Sequence, residues 1–384
     1  DAVSEQLEKL PYFAGSFGNE PAANYAKELT EIMPGFERIY YSNSGSEANE
    51  KGYKMVRQRA HFYNEGKKHK IIYRDRDYHG TTISALSSSG QLQRKKDYGP
   101  FTPGFVEMPH CCCYRCPFNK NYDDCNIECA NALEDVILRE GADTVGSVIL
   151  EPITAGGGVI EPVKEYFPII ESICKKYDVL LHIDEVVCGL GRTGKWFGYQ
   201  NFEVQPDIVT TAKGVAAGYA AISITATSAK VFELFKENPA NPDSYFRDIS
   251  TFGGCTAGPA AALKALSIIK QEKLLENINT VGAHLKDKLF ELYDKHSSIG
   301  EVRGKGLLCG IELVKDRKTK EPLNEQIVTS VAGHCLQNKV MIGRTNRSFE
   351  KNNNVLLFSP AFISTKGDID LIIDAVDNAL TETV

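Results

Sequence analysis

The sequence contains no apolar run near the roughly 20 residues that a membrane-spanning helix requires, so no helical membrane anchor is expected within its 384 residues. Nor is there an excess of positive charge. Against 44 lysines and arginines stand 50 aspartates and glutamates, a net charge of −6. The basic residues are scattered rather than gathered into arms or tails, so nucleic acid is not an expected partner. Internal repeats, low-complexity tracts and obvious linkers are missing as well. Asp1 to Lys9 mix acidic and basic side chains and have no apolar signal-peptide core. Cysteine is not scarce, but its 11 copies are an odd number in a long chain. That usage suits free thiols in a reducing cytoplasm better than a disulfide framework, and a cytoplasmic location is the expectation.

What is present suffices for a sizeable core. With 42% hydrophobic and 24% charged residues, the chain fits one large domain with a smaller companion. Its middle alternates short β-branched runs with longer amphipathic stretches, the pattern of an α/β architecture. Val145 to Leu150 reads as a buried strand. Tyr166, Phe167, Ile170, Ile173, Cys174 and Tyr177 then recur at helical spacing before a second strand, Val179 to Asp184. Asp207 to Thr211 and Ala221 to Thr225 extend the series, predicting a parallel or mixed sheet with helices on its faces. From Leu274 the pattern changes to a long charged helix, a glycine-rich bend at Gly304 to Gly306 and a final helix over Asp368 to Leu380. The expected division is therefore 1–273 and 274–384, with the first residues assignable to either unit.

Three segments carry chemistry. Ile39 to Asn49 places a short strand before Ser44-Gly-Ser-Glu47, the spacing of a capping box at a helix start. Gly45 admits close approach to the backbone, Ser46 adds a hydroxyl, and the free N–H groups of the first turn favour an anion such as phosphate. Taken alone, the segment reads more readily as an ordinary helix cap without a ligand. Glu151 and Asp184 end consecutive strands, and acids there need a cationic partner. For Asp184 that partner is either a ligand nitrogen or a protein cation such as Arg192. Lys213, in Thr210-Thr-Ala-Lys213-Gly214, follows an apolar strand among small neighbours. An apolar surrounding would lower its pKa and make it a Schiff-base-forming nucleophile; the plain alternative is a lysine reaching solvent from a strand end.

Taken together and in this order, Ser44 to Ala48, Tyr78-His-Gly80, Glu151-Pro152, Asp184-Glu-Val186 with Gly191-Arg-Thr-Gly194, and Thr211-Ala-Lys213-Gly214 resemble the class III pyridoxal 5′-phosphate (PLP) dependent aminotransferases, from about Leu10 to the C-terminus. The resemblance implies the fold type I architecture: a large domain with a mixed, mostly parallel sheet covered by helices, and a smaller α+β C-terminal domain. It implies that Lys213 carries PLP and Asp184 pairs with the pyridine nitrogen. Gly45 and Ser46 would bind the phosphate, Tyr78 and Val186 would press opposite ring faces, and Glu151 would sit near Asp184 and the ring hydroxyl. Thr251 would reach the phosphate of a neighbouring subunit, implying a homodimer or higher oligomer with shared sites. Arg344, with Arg347 close by, would bind a substrate acid group, and His79 would make a structural hydrogen bond.

The segments around Glu151 and Asp184 are similar to the family's pyruvate-using subgroup, implying a terminal amine donor, with pyruvate becoming alanine. Asp248 to Pro259 and the cysteine-rich stretch resemble the subgroup's taurine-using members, which implies taurine as donor, with hypotaurine, β-alanine, 4-aminobutyrate or a diamine as alternatives. Two departures stand out. Gly253-Gly254 is followed by Cys255-Thr-Ala-Gly-Pro259 where the family continues Gly-Gly-Asn-Pro, and family chains carry several dozen earlier residues that help line the substrate pocket. A competing use is open for Cys111, Cys112, Cys113, Cys116, Cys125 and Cys129, whose spacing could wrap zinc or an iron-sulfur cluster.

Overall fold

Runs of β-branched and other apolar residues without polar alternation build the middle of a seven-stranded sheet. In the computed structural model, which describes residues 1–13, 18–236, 242–346, 348–349 and 351–384, the strands are β1 (Phe36–Ser42), β2 (Lys70–Arg74), β3 (Phe105–Met108), β4 (Val145–Leu150), β5 (Leu180–Asp184), β6 (Ile208–Thr211) and β7 (Ser223–Ser228). They lie in the order β1-β7-β6-β5-β4-β2-β3. The pairs β2·β3, β2·β4, β4·β5 and β5·β6 are parallel, while β7 runs against both β6 and β1. The other six strands therefore share one direction, and five of them end in the segments singled out above.

Every residue of β4, β5 and β6 is buried, as expected for strands covered on both faces. The helix Tyr166–Tyr177, read from its 3.6-residue spacing, buries Tyr166, Phe167, Ile170, Ile173 and Cys174. Full burial of each such aliphatic or aromatic side chain stabilises by about 1.5–3 kcal/mol, so Ile183→Ala, next to the end of β5, should cost roughly 2–5 kcal/mol. The strand expected at Ala221 to Thr225 begins two residues later, at Ser223. Ala221 and Ile222 instead line the cavity described below.

A second sheet is antiparallel throughout: β8 (Ile299–Lys305), β9 (Leu308–Asp316), β10 (Glu321–Pro322), β11 (Gly343–Arg344) and β12 (Val355–Phe358). Helices Leu274–Lys295, Glu325–Gln337 and Lys366–Thr383 contribute to a core separate from that of the large sheet. The glycine-rich bend turns β8 into β9, with Gly306 at φ +58°. A Cβ there would fall 2.6 Å from the Thr193 backbone, so glycine lets this turn touch the large sheet's loops, where Leu307 N–H donates to Arg192 O at 3.0 Å. The cysteine-rich stretch makes a second bridge. Arg115 bonds Glu312 and Lys320 O, and Lys320 bonds Tyr114 O. The N-terminal helix Ala2–Lys9 packs against Ala257–Gln271. Among the described residues no helix is long and apolar enough to cross a membrane.

Candidate active site

Crevices outside the C-terminal ends of parallel strands are where open α/β sheets bind ligands, and this sheet has its cavity there. A hollow of about 610 Å³ is lined by Gly45 and Ser46 after β1, Tyr78 after β2, Glu151 after β4, Asp184 and Val186 at the end of β5, and Lys213 after β6. Seven of the nine site residues expected from the sequence therefore meet. Thr251 is exposed and outside the lining, although the adjacent Ser250 Oγ accepts a bond from cavity-lining Asn43 at 3.1 Å. Arg344 lies on β11, also outside the lining, and its Nη1 is bonded to Glu325 at 3.1 Å and to Thr345 O at 3.2 Å. Arg347 lies outside the described residues.

Asp184 is 2% exposed and its partner is not Arg192, which bonds the carbonyls of Leu307 and Pro360 instead. One carboxylate oxygen accepts from His79 Nδ1 and Asn49 Nδ2, both at 2.8 Å, and the other from Val186 N–H at 2.9 Å. Burial alone would raise its pKa, but the bonds and charge from His79, with those from Val186 and Asn49, outweigh it and hold the carboxyl below the ordinary value. An ionised carboxylate only accepts, so His79 Nδ1 carries the proton. His79 Nε2 is buried with no hydrogen-bond partner among the described residues. Asn49 in turn accepts from Thr210 Oγ1 at 2.6 Å, which fixes its amide orientation toward Asp184.

The neighbouring acids are tuned the other way. Burial, reinforced by Asp77 and Asp184, pushes Glu151 well above the usual range, against the N–H groups of Ala155 and Tyr78, which it accepts at 2.9 Å each. Burial pushes Glu185 up to about 8, despite bonds from Tyr199 and Gly198 N–H. One ionised carboxylate thus sits among acids biased toward neutrality, a division of roles that environment alone produces.

At the cavity's other wall, the helix Gly45–Asn64 starts with Ser44 Oγ accepting from Glu47 N–H at 3.3 Å. Only half the expected capping box forms, because Glu47 reaches back to Asn43 N–H at 2.9 Å rather than to Ser44. A Cβ on Gly45 would stand 2.9 Å from Val186 Cγ2, so glycine is what lets the first turn reach the β5 end. Ser46 Oγ accepts from Thr81 N–H at 3.0 Å, which leaves its own proton free to donate. Lys213 has φ +45°, a left-handed conformation costing a non-glycine residue about 1–3 kcal/mol. It opens a 3-10 turn, Lys213–Ala216, and its side chain is exposed to the cavity.

This donor set fits PLP. A helix start with free N–H groups and a hydroxyl suits a phosphate, a buried ionised carboxylate suits a protonated ring nitrogen, and a lysine at the same cavity suits an aldehyde. Asn49, Gln91 and Arg94 join the site without having stood out in the sequence, where an asparagine in mid-helix and an arginine beside two lysines read as ordinary helix surface. The cysteine-rich stretch forms its own cluster away from this cavity. All 11 cysteines are free thiols, and burial pushes Cys111 and Cys129 up to about 12 and Cys113 to about 11. Among the described residues no group of three or more His, Cys, Asp or Glu side chains is arranged to hold a metal.

Comparison with known proteins gives one consistent picture. The family model "Aminotransferase class-III" matches residues 1–380. The chain is 58% identical over 383 residues to the hypotaurine/taurine–pyruvate aminotransferase of Paracoccus denitrificans, covering 100% of this chain and 83% of the relative. It is 57% identical over 381 residues to the taurine–pyruvate aminotransferase of Rhodobacter capsulatus, covering 99% and 82%. The crystal structure of a Bacillus anthracis aminotransferase superposes with a TM-score of 0.94 at 38% identity, covering 99% of this chain and 84% of that one.

Proposed function

Because this chain belongs to the class III aminotransferases, we propose that it is a PLP-dependent enzyme that moves the amino group of taurine to pyruvate, giving sulfoacetaldehyde and alanine in two ping-pong half reactions. The observation that carries this is the meeting of Lys213 and the buried, ionised Asp184 in one cavity at the strand ends. The donor and acceptor rest on relatives of 57–58% identity.

When bound, PLP supplies an aldehyde that captures amines and a protonated ring that withdraws electrons from the amine-bearing carbon. Lys213 Nζ would hold that aldehyde and, when free, would serve as the base that moves the proton at the amine-bearing carbon. Asp184 would hold the proton on the ring nitrogen through a charge-assisted hydrogen bond. Gly45 and Ser46 would hold the phosphate, Tyr78 and Val186 would hold the ring between them, and Glu151 would stand beside Asp184 on the side of the ring hydroxyl. Arg344, on releasing Glu325, binds the keto acid's carboxylate, with Arg347 next to it in sequence.

The enzyme works as a homodimer or larger assembly with Thr251 reaching the partner's phosphate. Exposed Ile249, Phe252 and Tyr219, at 96%, 62% and 83%, flank that residue and the Gly218–Ala220 lip, and such apolar side chains favour cover by a second subunit. Residues 1–273 form the large domain and 274–384 the small one, each around its own sheet. A cytoplasmic location suits the 11 free thiols.

The test is the visible spectrum of PLP-loaded protein, with Lys213→Ala beside it. Taurine without keto acid should bleach the band of the lysine-bound cofactor and pyruvate should restore it. A band that ignores taurine but answers another terminal amine changes the donor, and failure to take up PLP refutes the assignment.

A further inference from the structure

A substrate such as taurine brings two polar ends: an amine for the Lys213 side of the cavity and, two carbons away, a permanently charged sulfonate. Oxyanions of this kind are met best by a guanidinium, whose fork of donors matches two oxygens at once. Among the residues lining the 610 Å³ cavity there is one guanidinium, Arg94. Resting on the reading above, we propose that Arg94 receives the sulfonate or carboxylate end of the amino donor, so that it, and not Arg344, selects anionic donors.

Arg94 is built for a fixed pose. Its Nε donates to Gln91 Oε1 at 2.7 Å, and Gln91 is itself fully buried, donating to Arg76 O at 3.0 Å and accepting from Ser348 Oγ at 3.1 Å. The guanidinium carbon stands 5.2 Å from the centroid of Tyr78, so the ring proposed to cover the cofactor also supports the cation. Nη2 reaches Asn346 O at a long 3.4 Å, and Nη1 has no hydrogen bond among the described residues. No described carboxylate lies within ion-pair distance of Arg94, whereas Arg344 already has Glu325 at 3.1 Å. A buried amide thus aims a cation without a counter-ion into a substrate-sized hollow. The same guanidinium also lines an adjoining hollow of about 360 Å³ with Tyr78, Gln93 and Tyr98, which gives the anionic end an open side from which to enter.

The test compares wild-type, Arg94→Gln, Arg94→Lys and Arg344→Gln holoenzymes in the amine half reaction, with taurine and β-alanine as anionic donors and propylamine as a donor without an acid group. Loss of charge-assisted hydrogen bonds should raise the taurine and β-alanine KM by roughly tenfold to a hundredfold in Arg94→Gln, with kcat and propylamine turnover affected far less. Arg94→Lys should fall between. A second readout is free of turnover: calorimetric binding of ethanesulfonate, which has no amine, should be present in wild-type and lost in Arg94→Gln. Equal losses for all three donors would assign Arg94 to holding Tyr78 and overturn the proposal, as would unchanged ethanesulfonate binding, or loss of anion selectivity in Arg344→Gln alone. If wild-type enzyme ignores taurine, the donor assignment fails, while β-alanine and ethanesulfonate still decide the role of Arg94.

Discussion

Replacing Asp184 by asparagine keeps the shape of the side chain and removes its charge, and both consequences have magnitudes set by the site. In the wild type one oxygen takes two donors, His79 Nδ1 and Asn49 Nδ2 at 2.8 Å, and the other takes Val186 N–H at 2.9 Å. Asparagine presents a single acceptor, so its NH2 must face at least one buried donor. An unsatisfied buried group costs about 1–3 kcal/mol, which should appear as a lowered urea midpoint of the cofactor-free protein. The chemical effect is separate. A carboxylate next to a ring nitrogen raises that nitrogen's pKa by roughly 1–3 units, and losing it removes about 1.4–4 kcal/mol of help to carbon deprotonation, a tenfold to thousandfold slower half reaction. The assay is stopped-flow decay of the visible band after mixing PLP-loaded Asp184→Asn with taurine. A rate within threefold of wild type, with cofactor still bound, would refute the role given to Asp184.

Two further perturbations follow from the same electrostatics. His79→Leu removes a donor that holds the Asp184 pKa down while leaving the burial that pushes it up. The acid limb of the half-reaction pH profile should therefore move to higher pH, and an unmoved limb would show that His79 does not tune the carboxylate. Glu312→Gln should destabilise the fold by about 3–5 kcal/mol, the usual effect of removing one partner from a buried ion pair, because Arg303 Nη1 at 2.7 Å and Arg115 both lean on that carboxylate. Burial raises the Glu312 pKa, but the two arginines outweigh it and the folded value is lowered. The contribution is thus present above the ordinary glutamate pKa and lost as pH falls through the folded value. Urea midpoints of wild type and variant should converge in acid, and a constant gap would contradict the assignment.

Burial on both faces made much of the large sheet legible. β4, β5 and β6 are mostly apolar, fully buried runs that end at or shortly before Glu151, Asp184 and Lys213, so their positions and the convergence of their ends could be read directly. β2 and β3 escaped because Lys70 and Arg74 bracket only three apolar residues in one and Glu107 interrupts the other, so neither shows a sustained apolar run. β9 lies in a mostly apolar stretch from Leu307 to Val314, broken only by Glu312, that was within reach of the same reasoning. The site was legible through the ordered set of motifs: Asp184 and Lys213 each had a plain alternative when taken singly and gained their expected roles only from the combination. Asn49 was not, nor was the partner of the structural hydrogen bond expected of His79: the bonds of both to Asp184 span long stretches of sequence and exist only once the sheet is assembled. The neighbours of Arg94, Lys95 and Lys96, make it look like part of a solvated basic face, and only the buried Gln91 beneath it turns it inward.

The order of the segments also sets a timetable for the newborn chain. Synthesis delivers the turn at Gly45 first and Lys213 much later, after five further strands of the sheet have emerged. No shorter piece of the chain holds both ends of the cavity, and non-local pairings of this kind form slowly. A ligand that binds only the finished arrangement stabilises it by mass action, so the supply of vitamin B6 during biosynthesis should govern how much of this chain reaches its mature state.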